Sequence, residues 1–345
     1  MKRLSVIIPM YNVEPFVERC LLSLERQDIP RKEYEIICIN DGSPDNSKGI
    51  VSKMQKEYDN IILIDQQNQG VSRARNNGID KASGEYLMFI DPDDYVAGKS
   101  FDRILRSVKN KEAQVSFLGF TFRKTDGTIR NRILNEEQAG LVYEGIEAYH
   151  LARGDGRTDP DRMVGVLFET AFLEKHKLRY PTEVPYLEDG EFIARILCLA
   201  ERCIFDAYSF YQRTTRPGSA TNSTLFYSEK ATRGFLLAAI SLKCFQQEHE
   251  LTYKQFIFLN QPIAKFVILV VNSCIGKSLF HRIRSIKTEF AQNGLKSCNL
   301  EGCNRLYRRL GWIYNISPIL LIAVLYCRPR LEKVFKRKSH ESSGS

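Results

Sequence analysis

Short apolar runs alternate with helical patterns along the first third of the chain. Strands are predicted at residues 4–8, 36–39, 61–64 and 86–90, and each is almost wholly apolar. Helices are predicted from Pro15 onward, from Asn46 to Tyr58 and over residues 71–82. Apolar strands that are separated by helices are typical of a parallel sheet that is covered on both faces. The pattern therefore predicts an α/β fold.

Polar residues follow the carboxyl ends of all four predicted strands. In chain order they are Tyr11-Asn12, Asn40-Asp41-Gly42-Ser43, residues 65–70 and Asp91 through Asp94. Ligands of open α/β sheets bind beyond the carboxyl ends of the strands. We therefore expect a binding site at this edge of the sheet.

The run Asp91-Pro92-Asp93-Asp94 directly follows the apolar strand at residues 86–90. Three carboxylates at one strand end repel one another, and Mg²⁺ or Mn²⁺ prefers oxygen ligands of this kind. The alternative is an Asp-rich turn before a helix that begins near Ser100, which is ordinary turn chemistry. Since three other polar strand ends converge on the same edge, we favour the metal site.

The middle of the chain is less regular. Strands are predicted at residues 115–122 and 164–168, with a hairpin across Asp126-Gly127 that returns through residues 129–134. Residues 187–200 form an apolar-faced helix with an acidic start, where Glu188 and Asp189 also suit the positive end of the helix dipole. Beyond residue 224 the pattern is helical.

Size and composition indicate a folded protein with one large domain and an appendage. The chain has 345 residues, of which 43% are hydrophobic and 26% charged. The first apolar run is too short for a secretory signal, and nine scattered cysteines favour reduced thiols in a cytoplasm. Cys298 and Cys303 lack the further ligands that a zinc site requires.

The positive charge is concentrated near the carboxyl end. Residues 276–338 carry 14 Lys and Arg against three acids, whereas the whole chain has a net charge of +9. Residues 310–327 are apolar but interrupted by Asn315, Ser317 and Pro318, at the short limit for a membrane span. We expect this region to lie on an anionic membrane surface, the alternative being a buried helix hairpin. It carries no recognisable nucleic-acid reading motif, so no nucleic-acid partner is expected.

Six segments, in order, resemble the motifs of family-2 glycosyltransferases, which are inverting enzymes of the GT-A fold. They are Ser5 to Asn12, Asn40 to Asp45, Asn68 to Asn76, Asp91 to Asp94, Leu187 to Phe192 and Tyr211 to Ser219. The resemblance covers about residues 1–225. Asn40 and Pro44 depart from the family pattern (Asp and Thr are usual there), but Asp41 remains.

The resemblance implies a domain organisation. Residues 1–225 would form the catalytic domain, Rossmann-like with a mostly parallel sheet flanked by helices. Its nucleotide-binding half would span residues 1–110 and its acceptor-binding half residues 111–225. Residues 226–345 would form a helical, basic, membrane-associating region.

The resemblance also implies a reaction, in which a sugar moves from a nucleotide sugar to a hydroxyl group by single displacement. We expect a UDP-sugar donor and a glycan or polyprenyl-diphosphate-linked acceptor, with Mn²⁺ or Mg²⁺ assisting. Asp189 would be the general base and Asp93 the main metal ligand, with Asp91 on the metal or the ribose. Asp94 and Glu188 would orient the acceptor or donor sugar.

The remaining implied contacts are to the donor nucleotide. Asp41 would accept the N3–H group of uracil, and Arg213, Arg216 and Ser219 would cover the diphosphate, unless they form only an exposed Arg-rich turn. Arg75 would bind the diphosphate or fix Asp93, the alternative being a buried ion pair with a neighbouring Asp. The full set of expected nucleotide-binding residues is Pro9, Tyr11, Asn12, Asp41, Gly42, Ser43, Gln69, Gly70, Arg75 and Asp91.

Two other classes of protein compete with this interpretation. A nucleotidyltransferase should carry a Gly-rich phosphate loop after the first strand, where this chain has Pro9-Met10-Tyr11-Asn12. A non-catalytic, membrane-docked binder of nucleotide sugars should have lost an acid of the Asp91 to Asp94 run or Asp189, and this chain keeps them all. We therefore expect a cytoplasmic enzyme, peripheral on the inner face of a bacterial membrane, in capsule, O-antigen or exopolysaccharide synthesis.

Overall fold

The computed structural model describes residues 2–124, 127–152, 163–214, 224–274 and 279–327. The chain divides into two compact units. The first comprises residues 1–182 and 188–222, and the second comprises residues 183–187 and 223–345. The domain boundary expected at residue 225 lies close to this division, but the short segment 183–187 groups with the second unit.

The amino-terminal part of the first unit has the predicted alternation of strands and helices. The elements are β1 (Lys2–Met10), α1 (Glu14–Glu25), β2 (Tyr34–Asp41), α2 (Ser47–Met54), β3 (Ile61–Gln66), α3 (Val71–Lys81) and β4 (Gly84–Phe89), with a 3-10 turn at Arg31–Glu33. The four strands pair in parallel in the order β3-β2-β1-β4. β1 and β2 are buried along nearly their whole length, which explains their continuous apolar sequence.

The second helix departs from its prediction. It ends at Met54 instead of Tyr58, and Asn46, although at the N-cap position, makes no capping hydrogen bond with its side chain. Asp45 replaces it, because its Oδ1 accepts from Ser47 N at 3.1 Å and from Ser47 Oγ at 2.5 Å. Asp45 Oδ2 also accepts from Glu14 N at 2.8 Å, so one carboxylate serves the starts of α1 and α2.

The rest of the first unit makes the sheet mixed, which corrects the expectation of a mostly parallel sheet. β9 lies between β4 and β6 and runs antiparallel to both. The full strand order is β3-β2-β1-β4-β9-β6-β10-β5, with β7 on β6 and β8 on β10. The further elements are β5 (Tyr95–Val96), α4 (Phe101–Asn110), β6 (Val115–Arg123), β7 (Ile129–Ile133), β8 (Val142–Tyr143), α5 (Gly145–Leu151), β9 (Val166–Glu169), α6 (Thr170–Lys175), α7 (Glu188–Leu199) and β10 (Cys203–Thr214), with a 3-10 turn at Glu136–Gln138.

The second unit is helical, as the sequence predicts. It contains a 3-10 turn at Thr224–Tyr227 and the helices α8 (Glu229–Glu248), α9 (Tyr253–Ser273), α10 (Leu279–Gln292), α11 (Arg305–Ile316) and α12 (Pro318–Cys327). Thr252 and Gln255 form a capping box at the start of α9. Between α8 and α9, Gln246 Nε2 donates to Asn260 Oδ1 at 2.9 Å and to the Phe256 carbonyl at 2.7 Å.

Only α9, among the described residues, is long and apolar enough to cross a membrane. In the most apolar 18-residue stretch of α9, 78% of the residues are buried within the protein. A core helix of a globular protein can have the same length and apolar composition. The apolar stretch at residues 310–327 is divided between α11 and α12. None of the nine cysteines, all of which lie in the described ranges, forms a disulfide bond, and seven of them are buried.

Candidate active site

The carboxyl ends of the parallel strands bring the predicted polar residues together. Neighbouring strands are in register there, with Met10 opposite Asn40 and Asn40 opposite Asp65. Asn12, at a left-handed φ of 55°, donates its backbone N–H to Ser43 Oγ at 3.3 Å. Asn40 Nδ2 donates to Asp65 Oδ1 at 2.6 Å. The expected convergence on one edge of the sheet is therefore confirmed.

Asp41 organises the loop between β3 and α3. Its Oδ1 accepts from Gln66 Nε2 and from the Gln69 backbone N–H, both at 2.8 Å, and its Oδ2 accepts from the Gly70 N–H at 2.9 Å. Gly70 has a φ of 88°, in the left-handed region that favours glycine. A carboxylate has about four acceptor positions, so Asp41 retains the capacity to accept one more hydrogen bond.

Gly42 allows the loop after β2 to approach the same segment. Its φ is 68°, and a Cβ atom at this position would lie 2.9 Å from the Asn68 nitrogen. Any side chain here would push the β2 loop away from residues 66–70. Pro9 is buried in β1, whereas the ring of Tyr11 beside it is 53% exposed.

Asp91, Asp93 and Asp94 form a cluster in which one oxygen from each lies within 4.8 Å of the others. Asp94 is buried, and it accepts from the Tyr211 hydroxyl at 2.7 Å and from the Thr214 N–H at 2.6 Å. Burial, with Asp91 adding to it, raises the pKa of Asp94 to about 7. Asp94 is thus tied to β10.

The donor set of this cluster fits a hard divalent cation. All three side chains offer carboxylate oxygens, which suit Mg²⁺ and Mn²⁺. Both oxygens of Asp94 already accept hydrogen bonds from β10, whereas the side chain of Asp91 is 35% exposed. Asp91 and Asp93 are therefore better placed than Asp94 to hold a metal ion at the strand end.

Arg75 connects three acids of the site. Its Nη1 lies 2.9 Å from both Glu188 Oε1 and Asp189 Oδ1, and its Nη2 lies 3.7 Å from Asp91 Oδ1. Its guanidinium also lies 4.9 Å from the centre of the Tyr180 ring. The ion pair that was the alternative expectation for Arg75 is present, with Glu188, Asp189 and Asp91 as its acids.

Asp189 lies in the first turn of α7, as the acidic start of that helix predicts. Burial raises the pKa of Asp189 to about 7, and the negative charges of Glu188 and Asp91 add to this effect while Arg75 opposes it. A carboxyl group with a pKa near neutrality is poised to accept a proton under physiological conditions. The structure thus brings Asp189 and Glu188 to Asp91, from which they are nearly 100 residues distant in sequence.

The predicted diphosphate segment is described only as far as Thr214. Arg213 lies 5.5 Å from the centre of the Phe122 ring. Desolvation by the surrounding protein raises the pKa of Asp91, and the positive charges of Arg75 and Arg213 act in the opposite direction. Arg216 and Ser219 lie outside the described residues.

Two contributors to the site have no role in the sequence-based prediction. Arg19 on α1 donates from Nη2 to the Asp93 carbonyl at 2.6 Å and to Thr214 Oγ1 at 3.3 Å. Tyr211 on β10 accepts from the Asp91 N–H at 3.2 Å and donates to Asp94. Both connect segments far apart in the chain, and no local pattern signals such contacts. The position of Tyr211 just before the predicted Arg213 was the one available hint.

Residues 5–166 match the model of Glycosyl transferase family 2. The uncharacterized glycosyltransferase EpsJ of Bacillus subtilis (strain 168) is 32% identical over 228 residues, which are 63% of this chain and 62% of that protein. A poly(ribitol-phosphate) beta-glucosyltransferase of Bacillus spizizenii is 27% identical over 219 residues, 63% of this chain and 33% of that protein. The chain thus spans less than two thirds of the length of either relative.

A solved structure of residues 1–349 of S. aureus TarS in complex with UDP has the same fold. Its TM-score is 0.66 at 19% identity, and the match covers 93% of this chain and 90% of that one. The mixed sheet flanked by helices is therefore a GT-A-like α/β fold, as expected. The match to the model of Glycosyl transferase family 2 covers residues 5–166 of this fold, just under half of the chain.

Proposed function

We propose that this protein is an inverting glycosyltransferase that moves a sugar from a UDP-sugar to a hydroxyl group of a cell-envelope glycan or lipid-linked oligosaccharide. The observation that carries the proposal is the Arg75 cluster, in which Asp189 and Asp91 contact the same guanidinium. In this mechanism Asp189 would accept the proton beside the acids that would hold a metal ion, which is why the cluster supports the proposal. The UDP in the TarS structure and the names of the relatives support the choice of donor and acceptor.

The donor nucleotide would occupy the edge formed by β1, β2 and β3. The exposed ring of Tyr11 offers a face for the base, and Asp41 offers one further acceptor position for the uracil N3–H group. A cytosine base has no N–H at that position. Asp41 would therefore favour UDP over CDP.

In the chemical step, the acceptor oxygen attacks the anomeric carbon while the bond from that carbon to the diphosphate oxygen breaks. The electron pair of the broken bond leaves with UDP, and the hydroxyl proton passes to the Asp189 carboxylate. Attack from the face opposite the leaving group inverts the anomeric configuration. Asp91 and Asp93 would hold a divalent cation, which would supply positive charge to the departing diphosphate.

Arg75 would fix the position of the proton acceptor, Asp189, relative to the metal-site acid Asp91. It holds Asp189 at 2.9 Å and lies 3.7 Å from Asp91, so the proton acceptor and a metal-site acid share one anchor. A misplacement of about 1 Å at a reacting group costs roughly two orders of magnitude in rate. Arg75 is thus a positioning residue in this mechanism.

The proposal is tested by calorimetric titration with UDP, GDP and CDP, each with Mn²⁺ and with EDTA. We expect UDP to bind tightly only with Mn²⁺, and binding to be lost in Asp93→Ala. Asp189→Asn should bind UDP normally and yet lose about 10²- to 10⁴-fold in sugar transfer, the usual contribution of a general base. A loss of UDP binding in Asp189→Asn, or no nucleotide binding by the wild type, would contradict the assigned roles.

We also propose that α11 and α12 dock on an anionic membrane surface. Seven large apolar residues are exposed on these helices, while Tyr314, Leu321 and Ile322 of the same helices are buried. The exposed set is Leu306, Trp312, Ile316, Ile319, Leu320, Val324 and Tyr326. Three exposed arginines (Arg305, Arg308 and Arg309) lie on α11 beside this apolar surface, which suits anionic headgroups. The exposure of these side chains argues against the alternative of a fully buried helix hairpin.

Trp312 provides a direct measurement, because it is the one tryptophan in the sequence and its side chain is 61% exposed. We expect its fluorescence to shift to shorter wavelength with vesicles of phosphatidylglycerol and not with phosphatidylcholine alone. Replacing Ile319 and Leu320 by Asp should abolish the shift, whereas Ile129→Asp, at an exposed site of the first unit, should not. Equal shifts in all three proteins would contradict membrane docking by α12.

A further inference from the structure

A cavity of about 600 Å³ lies in the first unit, and none of its lining residues is among those expected to bind the nucleotide. One wall is formed by Arg19 and Ser23 of α1 with Arg26, which directly follows the helix, and the other is β5 with the turn that follows it. Arg123 of β6 and Gln212 of β10 complete the lining. We call this cavity the α1–β5 groove. Its volume is in the range that holds a small-molecule ligand.

The α1–β5 groove is rigidly built. Ser23 Oγ accepts from the Val96 N–H at 3.1 Å, and Gln27 Nε2 donates to the Ala97 carbonyl at 3.0 Å. The Lys99 N–H donates to the Arg26 carbonyl at 3.0 Å, and a Cβ atom on Gly98 would lie 3.1 Å from the same oxygen. These bonds fix β5 against α1, so the groove does not depend on a ligand to form.

The lining carries an excess of positive charge. The lining contains three arginines (Arg19, Arg26 and Arg123) and one acid, Glu18. Arg19 donates to a carbonyl and a hydroxyl, and its guanidinium lies 4.9 Å from the centre of the Tyr95 ring. Arg26 is exposed, and its guanidinium contacts no hydrogen-bond or ion-pair partner within the part of the chain that the structure describes. Such side chains favour a phosphate group over a neutral sugar.

The groove leads to the reaction centre. Arg19 lines it and also donates to the carbonyl of Asp93, the expected metal ligand, at 2.6 Å. The residues around Asp41 lie at the opposite end of the sheet, on β2 and β3, whereas β5 and β10 border the groove. Through Arg19, a molecule in the groove would lie one side chain away from the Asp91 to Asp94 cluster.

We propose that the α1–β5 groove binds a phosphate group of the acceptor, so that the acceptor is a phosphate-bearing chain or lipid and not a neutral glycan. This inference rests on the proposed transferase function, because it names the substrate class that meets the donor at Asp93. Arg26 would contact the phosphate directly. Arg19 would connect the bound phosphate to the metal-binding strand end.

The test uses the full chain, with and without saturating UDP and Mn²⁺, and titrates three probes by calorimetry. A glycerol-phosphate tetramer represents a polyol-phosphate chain, farnesyl diphosphate represents a prenyl-diphosphate lipid, and maltotetraose is the neutral control. The variants are Arg26→Gln and, as a matched control, Arg106→Gln, which removes an exposed arginine that pairs with Asp102 on α4. Neither Arg26 nor Arg106 is among the proposed catalytic or nucleotide-binding residues.

We expect a phosphate probe to bind when UDP is already bound. Arg26→Gln should lower the affinity for the probe about three- to tenfold, the usual effect of losing one charge-assisted hydrogen bond. UDP affinity should be unchanged in Arg26→Gln, and Arg106→Gln should match the wild type. Tighter binding of the tetramer would identify a polyol-phosphate acceptor, and tighter binding of farnesyl diphosphate a lipid diphosphate.

Three results would overturn the inference. They are preferential binding of maltotetraose, displacement of both phosphate probes by UDP, and equal affinity of the probes for wild type and Arg26→Gln. Displacement by UDP would mean that the arginines serve the donor diphosphate. In all three cases normal UDP binding would leave the proposed transferase function intact. Absent UDP binding would instead contradict that function, while probe binding would still report on the groove.

Discussion

Arg75 Nη1 and Asp189 Oδ1 lie 2.9 Å apart, although the two residues are 114 positions apart in the chain. The same nitrogen donates to Glu188 Oε1 at 2.9 Å, so one guanidinium fixes two adjacent carboxylates at the start of α7. The side chain of Arg75 is only 6% exposed. Breaking a largely buried pair leaves an uncompensated charge, which makes this contact testable by substitution.

Arg75→Gln should lower both stability and activity. Removal of one partner from a buried ion pair typically costs about 3–5 kcal/mol in the free energy of unfolding. Arg75→Lys should restore little, because an ammonium group lacks the planar fork that reaches several carboxylates. Thermal denaturation measures the first effect and sugar transfer the second. Arg73→Gln, which removes an exposed arginine of the same helix, is the control. Unchanged stability in Arg75→Gln would mean that the cluster is not a structural anchor.

The rate of sugar transfer should depend on pH through Asp189. Burial raises the pKa of Asp189 to about 7, with Glu188 contributing in the same direction. Only the deprotonated carboxylate can accept the acceptor's proton, so kcat/KM should fall about tenfold per pH unit below 7 and level off above it.

Glu188→Gln tests whether the pH dependence of sugar transfer arises from Asp189. Loss of the negative charge of Glu188 removes one cause of the raised pKa, so the midpoint of the pH profile should move to lower pH. The matched comparison is Glu201→Gln, at an exposed position outside the site. A midpoint that moves upward or stays fixed in Glu188→Gln would assign the titration to another group.

Asp94 should make the protein less stable as pH rises toward neutrality. Burial raises its folded-state pKa to about 7, whereas an unfolded Asp titrates near 3.9. Between these values the native protein binds the proton and the unfolded chain does not. The stabilisation is therefore complete below about pH 4 and is lost as pH rises through 7. The full effect of a shift of this size is at most about 4 kcal/mol.

Denaturant unfolding in EDTA at several pH values measures this effect. Asp94→Asn should flatten the fall in unfolding free energy between pH 5 and 7, because the amide does not titrate. Asp59→Asn, at an exposed position, should keep the wild-type dependence. Identical slopes for wild type and Asp94→Asn would show that Asp94 is ionised throughout this range.

Asp41→Asn should loosen the loop between β3 and α3 and weaken UDP binding. One oxygen becomes an NH₂ group, which cannot accept from the N–H groups of Gln69 or Gly70. We expect about a tenfold loss of UDP affinity and faster hydrogen exchange at Gly70. Asp59→Asn, at an exposed position outside this edge of the sheet, is the control. Slow exchange at Gly70 in the Asp41 variant would contradict a role of Asp41 in the loop.

The sequence was sufficient to predict the parallel strands and the residues at their carboxyl ends. Strand ends are readable because apolar runs stop where Asp41 and Asp91 begin, and parallel register aligns these ends. The acidic start of α7 was equally visible. What local pattern did not reveal was the direction of β9, since a strand with only three apolar residues suits either orientation.

The contacts between distant segments at the site could also not be predicted from the sequence. Arg19 and Tyr211 reach the Asp91 to Asp94 cluster from α1 and β10, and neither follows from spacing. Asp45 took the capping role predicted for Asn46, because it also meets the start of α1. Such side chains are selected by tertiary neighbours, which a single sequence does not show.

The position of β9 has a consequence for how the substrates meet. Because β9 pairs with both β4 and β6, the strands that carry Asp41 and those that border the α1–β5 groove belong to one hydrogen-bonded sheet. A sheet continuous through its centre leaves no hinge about which these two regions could swing together. The distance between the two binding regions is therefore set by the backbone itself, and any adjustment on binding must come from side chains and surface loops.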